Sequence, residues 1–172
     1  MRLVIGLAGL HGAGKSTLAK QLVSAHGFGE SSFGGVVRRE ATLRGLDHEL
    51  VTLQDLGVTL INEWGLEQFC REVVNAHAPK SEFVVIDGIR QVAAIDHIRN
   101  AVTPGKFIFL YVDIPEEERL NRLEKRKRPG DMSATRETHP VEQEVVLLRD
   151  HADHVIDGTG DDALEHILRL CN

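Results

Sequence analysis

Eight residues near the start of the chain, Gly9-Leu10-His11-Gly12-Ala13-Gly14-Lys15-Ser16, follow the pattern G-x-x-x-x-G-K-[ST]. Glycines at these spacings let successive backbone N–H groups turn inward around phosphate oxygens, where side chains would clash. Lys15 then reaches the outer phosphates of a nucleoside triphosphate, and Ser16 offers its hydroxyl to a magnesium ion. The candidate nucleotide-binding set is Gly9, His11, Gly12, Ala13, Gly14, Lys15, Ser16 and Thr17. His11 occupies a variable position and reads as a solvent-facing loop side chain. ATP and Mg2+ are the expected ligands.

Two further segments carry groups suited to a second substrate. Ser31-Ser32-Phe33-Gly34-Gly35-Val36-Val37-Arg38 places hydroxyls and backbone N–H groups near Arg38, whose planar guanidinium suits a phosphate or carboxylate. An ordinary turn followed by a solvated arginine fits that segment equally well. In Phe83-Val84-Val85-Ile86-Asp87-Gly88-Ile89-Arg90, four apolar residues end in an acid. That puts the Asp87 carboxylate at the carboxyl edge of a strand, where open α/β sheets bind ligands. Asp87 could join Ser16 around the metal or accept a proton, or it could only cap a helix beside Gly88. Arg90 could grip the acceptor's anion.

The elements that must position these groups alternate along the chain. Leu3 to Ala8, Phe83 to Ile86, Phe107 to Val112 and His154 to Ile156 are almost continuously apolar, as strands covered on both faces are. A weaker strand is expected within residues 28–33. Between them, apolar residues recur at helical spacing over 50–64 and 66–74, two helices meeting near Gly65, and over 91–99, 115–127, 140–151 and 161–170. Alternation of this kind predicts a single three-layer α/β domain over 1–172, with a parallel sheet of about five strands. Trp64 and Leu60 are candidates for an acceptor pocket, with core packing at least as good a reading.

Charge is uneven. The chain carries 20 Lys and Arg against 26 Asp and Glu, a formal balance of −6. Six of those cations fall between Arg119 and Arg128 beside one acid, leaving 14 bases against 25 acids elsewhere. An acidic body argues against broad nucleic-acid binding, which needs many cations facing phosphates. Arg119, Arg122 and Arg126 share one face of the helix after Pro115, with Leu120 and Leu123 expected to turn another way, and Arg128 opens the aperiodic stretch to Pro140. The two cysteines form no framework, and no run approaches the roughly 18 apolar residues of a membrane span. A cytoplasmic protein acting on a small-molecule partner is expected. His151 and His154 lack a third metal ligand and read as surface or core histidines.

Taken together, these motifs resemble the nucleoside monophosphate kinase superfamily of P-loop phosphotransferases, adenylate kinase and its relatives, including dephospho-CoA kinase. Gly9, Gly12, Gly14 and Lys15 match the family's first loop, and Ser32, Gly34 and Arg38 match S-T-G-D-x-x-R. Asp87 and Gly88 match the start of D-G-F-P-R, and Ala152 to Gly158 is similar to the A-D-x-V-I-D-N run of dephospho-CoA kinases. The resemblance implies a region over about 31–80 that binds the acceptor through Ser32, Gly34, Arg38 and Arg90. It also implies a short lid over about 119–140 that brings Arg122, Arg126 and Arg128 to the phosphates, with Lys15 and Asp87 completing the catalytic set and Ser16 and Asp87 the metal set. Two positions depart from the family. Gly35 replaces the aspartate of the second motif, and Arg90 comes one residue early. The implied activity is ATP-dependent phosphorylation of a nucleoside or deoxynucleoside monophosphate. The alternatives are a dephospho-CoA kinase-like activity and a nucleotide-binding regulatory module with weak or no ATPase activity.

Overall fold

Every residue of the first apolar run, Leu3–Ala8 (β1), is buried, because β1 is a central parallel strand with helices on both faces. The structure, a computed structural model, describes residues 2–76, 81–126, 140–158 and 160–171. After β1 come α1 (Lys15–His26), β2 (Gly29–Ser32), α2 (Phe33–Leu43), α3 (Leu50–Trp64), α4 (Leu66–Asn75) and β3 (Phe83–Asp87). They are followed by α5 (Val92–Val102), β4 (Lys106–Asp113), α6 (Glu116–Arg126), α7 (Pro140–Leu147), a 3-10 turn at Leu148–His151, β5 (His154–Asp157) and α8 (Asp161–Leu170). All strands expected from the sequence form, including the weak one, which becomes the edge strand β2.

The five strands are parallel and lie in the order β2-β3-β1-β4-β5. Alternate residues of each strand enter different cores. Ile5, Leu7, Ile108 and Leu110 pack with Leu18 and Leu22 of α1 and Ile167 of α8. Val4, Ile86, Phe107 and Phe109 face the other way, into a cluster with Val36 of α2, Leu60 of α3, Val73 of α4 and Ile98 of α5. The result is the expected three-layer arrangement. Gly6 is required in β1 because a Cβ there would lie 2.7 Å from Ile89 and 2.8 Å from Phe107.

α1 and α5 therefore lie on opposite faces, and the chain leaves β1 and β3 in opposite directions. The crevice between these two carboxyl ends is the switch point at which open α/β sheets bind ligands. Register aligns the ends, with Leu7 opposite Asp87 and Ser32 opposite Asp87.

Helices α2 to α4 form the segment between β2 and β3. α3 ends and α4 begins at Gly65, whose φ of 77° turns the chain sharply between them. Arg44, after α2, donates to both carboxylate oxygens of Glu63 in α3 at 3.2 and 2.7 Å. This fork holds the Glu63 carboxyl below the usual range. Trp64 and Leu60 pack inward, Leu60 fully buried and Trp64 against Phe69 with ring centroids 6.1 Å apart. Core packing is thus their role. Among the described residues no helix is long and apolar enough to cross a membrane, and no cluster of His, Cys, Asp and Glu could hold a metal ion.

Candidate active site

The loop after β1 is shaped by its glycines. Gly9 has φ 141°, and a Cβ there would sit 2.3 Å from the carbonyl oxygen of Val112, so β4 closes one side of the loop against bare backbone. Gly14 caps α1 in left-handed conformation with φ 99°. The loop's backbone thus meets the N-terminus of a twelve-residue helix, the arrangement that favours a bound phosphate. Lys15 Nζ donates back to the carbonyls of Gly9 at 2.7 Å and Leu10 at 3.0 Å, which keeps its charge over the loop.

Ser16 Oγ donates to Asp87 Oδ2 at 2.6 Å. Asp87 ends β3 and caps no helix, since α5 begins only at Val92. Its other oxygen, Oδ1, is buried and has no hydrogen-bond partner among the described residues. A buried carboxylate oxygen left unpaired is costly. A hydroxyl with one free and one occupied carboxylate oxygen beside it is a donor set that fits the water shell of a magnesium ion.

α6 does more than supply a cationic face. Leu123 packs onto the loop, where a Cβ on Gly12 would lie 2.8 Å from its side chain, so the expectation that Leu123 turns away from the arginines is corrected. Arg119, only 7% exposed, donates to the His11 carbonyl at 3.3 Å. Arg122 Nη1 donates to the Ala13 carbonyl at 3.3 Å, while Nη2 forms a very short pair with Glu118. Residues three and four apart on a helix share a face, so Arg122 and Leu123 both lie beside Arg119. The side chain of Arg126 and all of Arg128 lie outside the described residues, as does the rest of the stretch 127–139. His11 is half-buried and Thr17 exposed.

Beside Asp87 opens a cavity of about 390 Å³ between α2, α3 and the turn from β3 to α5. Gly34, Arg38, Gly88 and Arg90 all line it, so two separate sequence motifs converge there. Gly34 allows the Arg38 guanidinium to fold close, since a Cβ would lie 3.3 Å from Nη1. Arg38 has neither hydrogen-bond nor ion-pair partner for its guanidinium among the described residues, whereas Arg39, Arg44, Arg71 and Arg99 are all paired. Ser32 does not line this cavity. Its Oγ accepts from Gly35 N–H at 2.9 Å and caps α2, a role open to any serine at a helix start. The same bond explains Gly35, where a Cβ would meet Ser32 Oγ at 2.8 Å. The remaining polar wall, Gln54 and Asn62 of α3 and Gln91 before α5, carries no motif and escapes sequence reading.

Together, the sheet order, the glycine loop and the flanking helices define a P-loop kinase-like fold. Solved structures agree on that fold. A shikimate kinase of Acinetobacter baumannii matches with TM-score 0.55 at 19% identity, over 99% of this chain and 93% of that one. A sugar kinase of Janibacter matches with TM-score 0.56 at 21% identity, over 98% and 93%. A protein of Thermus thermophilus matches with TM-score 0.60 at 19% identity, over 99% and 96%. At such identities the likeness is one of fold. Residues 5–144 match the model of an AAA domain family. A UPF0200 protein of Pyrobaculum aerophilum is 33% identical over 147 residues, 86% of this chain and 75% of that protein. One of Thermococcus kodakarensis is 30% identical over 132 residues, 75% and 71%. The chain belongs to the UPF0200 family of AAA-domain proteins.

Proposed function

We propose that the protein is a small-molecule kinase that transfers the terminal phosphoryl group of ATP to a phosphorylated acceptor, a nucleoside or deoxynucleoside monophosphate. The observation that carries this reading is the exposed Arg38 guanidinium, without a partner among the described residues, in a cavity that opens at Gly88, next to the Ser16–Asp87 pair. A binding pocket for an anion thus adjoins the carboxyl ends of β1 and β3, where the triphosphate would lie.

In the proposed reaction the bond between the γ-phosphorus and its bridging oxygen breaks, and an oxygen of the acceptor's phosphate bonds to that phosphorus, leaving ADP. The loop N–H groups and Lys15 hold the donor's phosphates, and Arg38 with Arg90 anchors the acceptor. Arg122, Arg126 and Arg128 are proposed to clamp charge spread over the transferring group, the main catalytic need in such a transfer. Ser16 and Asp87 would hold magnesium, which neutralises phosphate charge. An ionised phosphate oxygen needs no base, so for this acceptor Asp87 serves the metal shell. A region over about 31–80 for the acceptor and a lid over about 119–140 belong to this proposal, as does a single domain over the whole chain.

The test is ADP release with each common nucleoside and deoxynucleoside monophosphate, with dephospho-CoA in the same panel. Several-fold stimulation by one monophosphate is expected, abolished in Lys15→Ala. Turnover within a few-fold of the original chain in Lys15→Ala would remove the donor site. Stimulation by dephospho-CoA alone would favour the second kinase reading, in which an alcohol oxygen is the nucleophile and Asp87 its base. A third reading rests on Gly35, where Ser32 Oγ leaves no room for the family's carboxylate. ATP binding with no ADP release across the panel would favour such a regulatory module.

A further inference from the structure

The wall of the acceptor cavity is chemically restricted. Its polar side chains are the guanidiniums of Arg38 and Arg90 and the carboxamides of Gln54, Asn62 and Gln91, with no carboxylate and no hydroxyl among the described residues. Guanidinium only donates, so the three carboxamide oxygens are the side-chain acceptors that the described residues of this wall offer a ligand. None of these carboxamides has a hydrogen-bond partner within the protein among the described residues. Gln54 and Asn62 stand eight residues apart on α3, which puts them on one face with Gly57, Val58 and Ile61, all lining the cavity. Gly57 leaves that face open between them, its nearest neighbour for a Cβ being Val37 at 3.7 Å. Phe33 and Phe69, packed edge to face at 5.4 Å, supply an aromatic wall.

A sugar acid or polyol placed here would bury several hydroxyls against a wall with few acceptors, each unmet donor costing binding. A flat heterocycle would instead bury its faces on Phe33 and the aliphatic wall, and show its edge to carboxamides. One carboxamide pairs bidentately with a donor beside an acceptor, as Asn and Gln do with adenine. Cytosine, uracil and thymine also present such an edge. Guanine presents the same pair at O6 and N1–H and adds a second donor beside it, so it needs a second acceptor in the right place where the other bases need one carboxamide.

We infer that Gln54, Asn62 and Gln91 form a base-reading surface, so that the acceptor is a nucleotide whose donor-beside-acceptor edge one carboxamide satisfies, that guanine nucleotides, which need a second acceptor, bind less tightly, and that polyol acceptors are rejected. This rests on the acceptor assignment above, and binding separates the two. Calorimetric titration of the full chain with AMP, CMP, UMP, GMP, shikimate and gluconate, each with a non-hydrolysable ATP analogue present, tests it without turnover. AMP, CMP or UMP should bind at least about tenfold more tightly than GMP, the value of one buried hydrogen bond, and the two hydroxy acids should show no saturable heat. In Gln54→Leu and Asn62→Leu, which keep side-chain bulk, the favoured monophosphate should weaken about tenfold or more, while inorganic phosphate and the ATP analogue bind as before and the melting temperature holds. GMP binding as tightly as the rest, saturable binding of shikimate or gluconate alone, or leucine variants that bind the monophosphate unchanged would each overturn the inference. Failure of the kinase reading shows separately, as correct base preference in titration with no ADP release in the acceptor panel.

Discussion

Ser16 and Asp87, 71 positions apart in sequence, meet in a 2.6 Å hydrogen bond that joins the start of α1 to the end of β3. The pair spans the switch point of the sheet, and the buried Oδ1 of Asp87 has no partner among the described residues. In the proposed reaction these two groups hold the metal's shell. Asp87→Asn keeps the shape and loses the charge, so kcat should fall by about 100-fold or more, the scale of one lost charge-stabilising contact. The apparent Mg2+ requirement should rise with it, while binding of ATP without metal changes little. Steady-state ADP release across a Mg2+ series checks this, and a kcat within about threefold of the original would contradict it.

The loop's backbone is fixed by β4 at one glycine in particular. A Cβ at Gly9 would press to 2.3 Å on the Val112 carbonyl, a backbone atom that cannot swing aside. Gly27 has φ 68° with nothing within 4 Å, so alanine there carries only the cost of left-handed backbone, about 1 kcal/mol. Gly9→Ala adds the clash and should cost about 3 kcal/mol or more. In a chain of this size that corresponds to a melting temperature about 6–12 °C lower, against about 2–4 °C for Gly27→Ala. Equal shifts for the two variants in a calorimetric scan would show that β4 yields.

How much of this was legible follows from where the signal lies. β1 and its loop announce themselves because a buried parallel strand is continuously apolar and the phosphate loop constrains residue types at fixed spacing. β2, Gly29-Glu30-Ser31-Ser32, is weak in sequence because it pairs on one side only, with β3, and needs no apolar run. Gly65 was readable as a helix junction because the apolar spacing is interrupted there. The acceptor wall is not readable from sequence: Gln54 and Asn62 on α3 look like any solvated helix face, and Asn62 stays exposed; only the fold, through α2 and the β3–α5 turn, brings the other lining residues opposite them. Leu123 was misplaced because a helical face was divided into charged and apolar halves, whereas the loop accepts both, carbonyls for the arginines and the bare Gly12 for leucine. Ser32 fits the family motif and a helix cap equally well, and the structure shows it capping α2.

Arg122 reaches the Ala13 carbonyl from α6 and shares its charge with Glu118. It is thus stationed on the loop before any triphosphate arrives, and its proposed task is to stabilise charge that grows during transfer. An interaction of that kind lowers kcat when removed and leaves ground-state binding largely alone. Arg122→Ala should reduce kcat by at least about 100-fold while the Kd for an ATP analogue changes by less than about fivefold. Equilibrium titration beside steady-state turnover separates the two quantities. A loss confined to affinity would make Arg122 a binding residue, and no loss in either would leave it only a structural contact to the loop.

Alkaline stability should depend on a residue far from the chemistry. Cys70 of α4 is fully buried beside the Ala94 carbonyl, and burial pushes its thiol up to about 12. An unfolded chain ionises the same thiol near 8.5. Between those values the unfolded state sheds a proton that the folded state keeps, so the stability from the buried neutral thiol is full below about pH 8.5 and drains as pH rises toward 12. The slope is about 1.4 kcal/mol per pH unit. Cys70→Ala removes that slope at the cost of a small cavity, so urea unfolding at pH 8, 9.5 and 10.5 should show the original chain losing its advantage over the variant by about 1.5–3 kcal/mol across the series. Parallel decline of the two proteins would mean that the folded state admits the thiolate, and that the packing around α4 opens enough to solvate it.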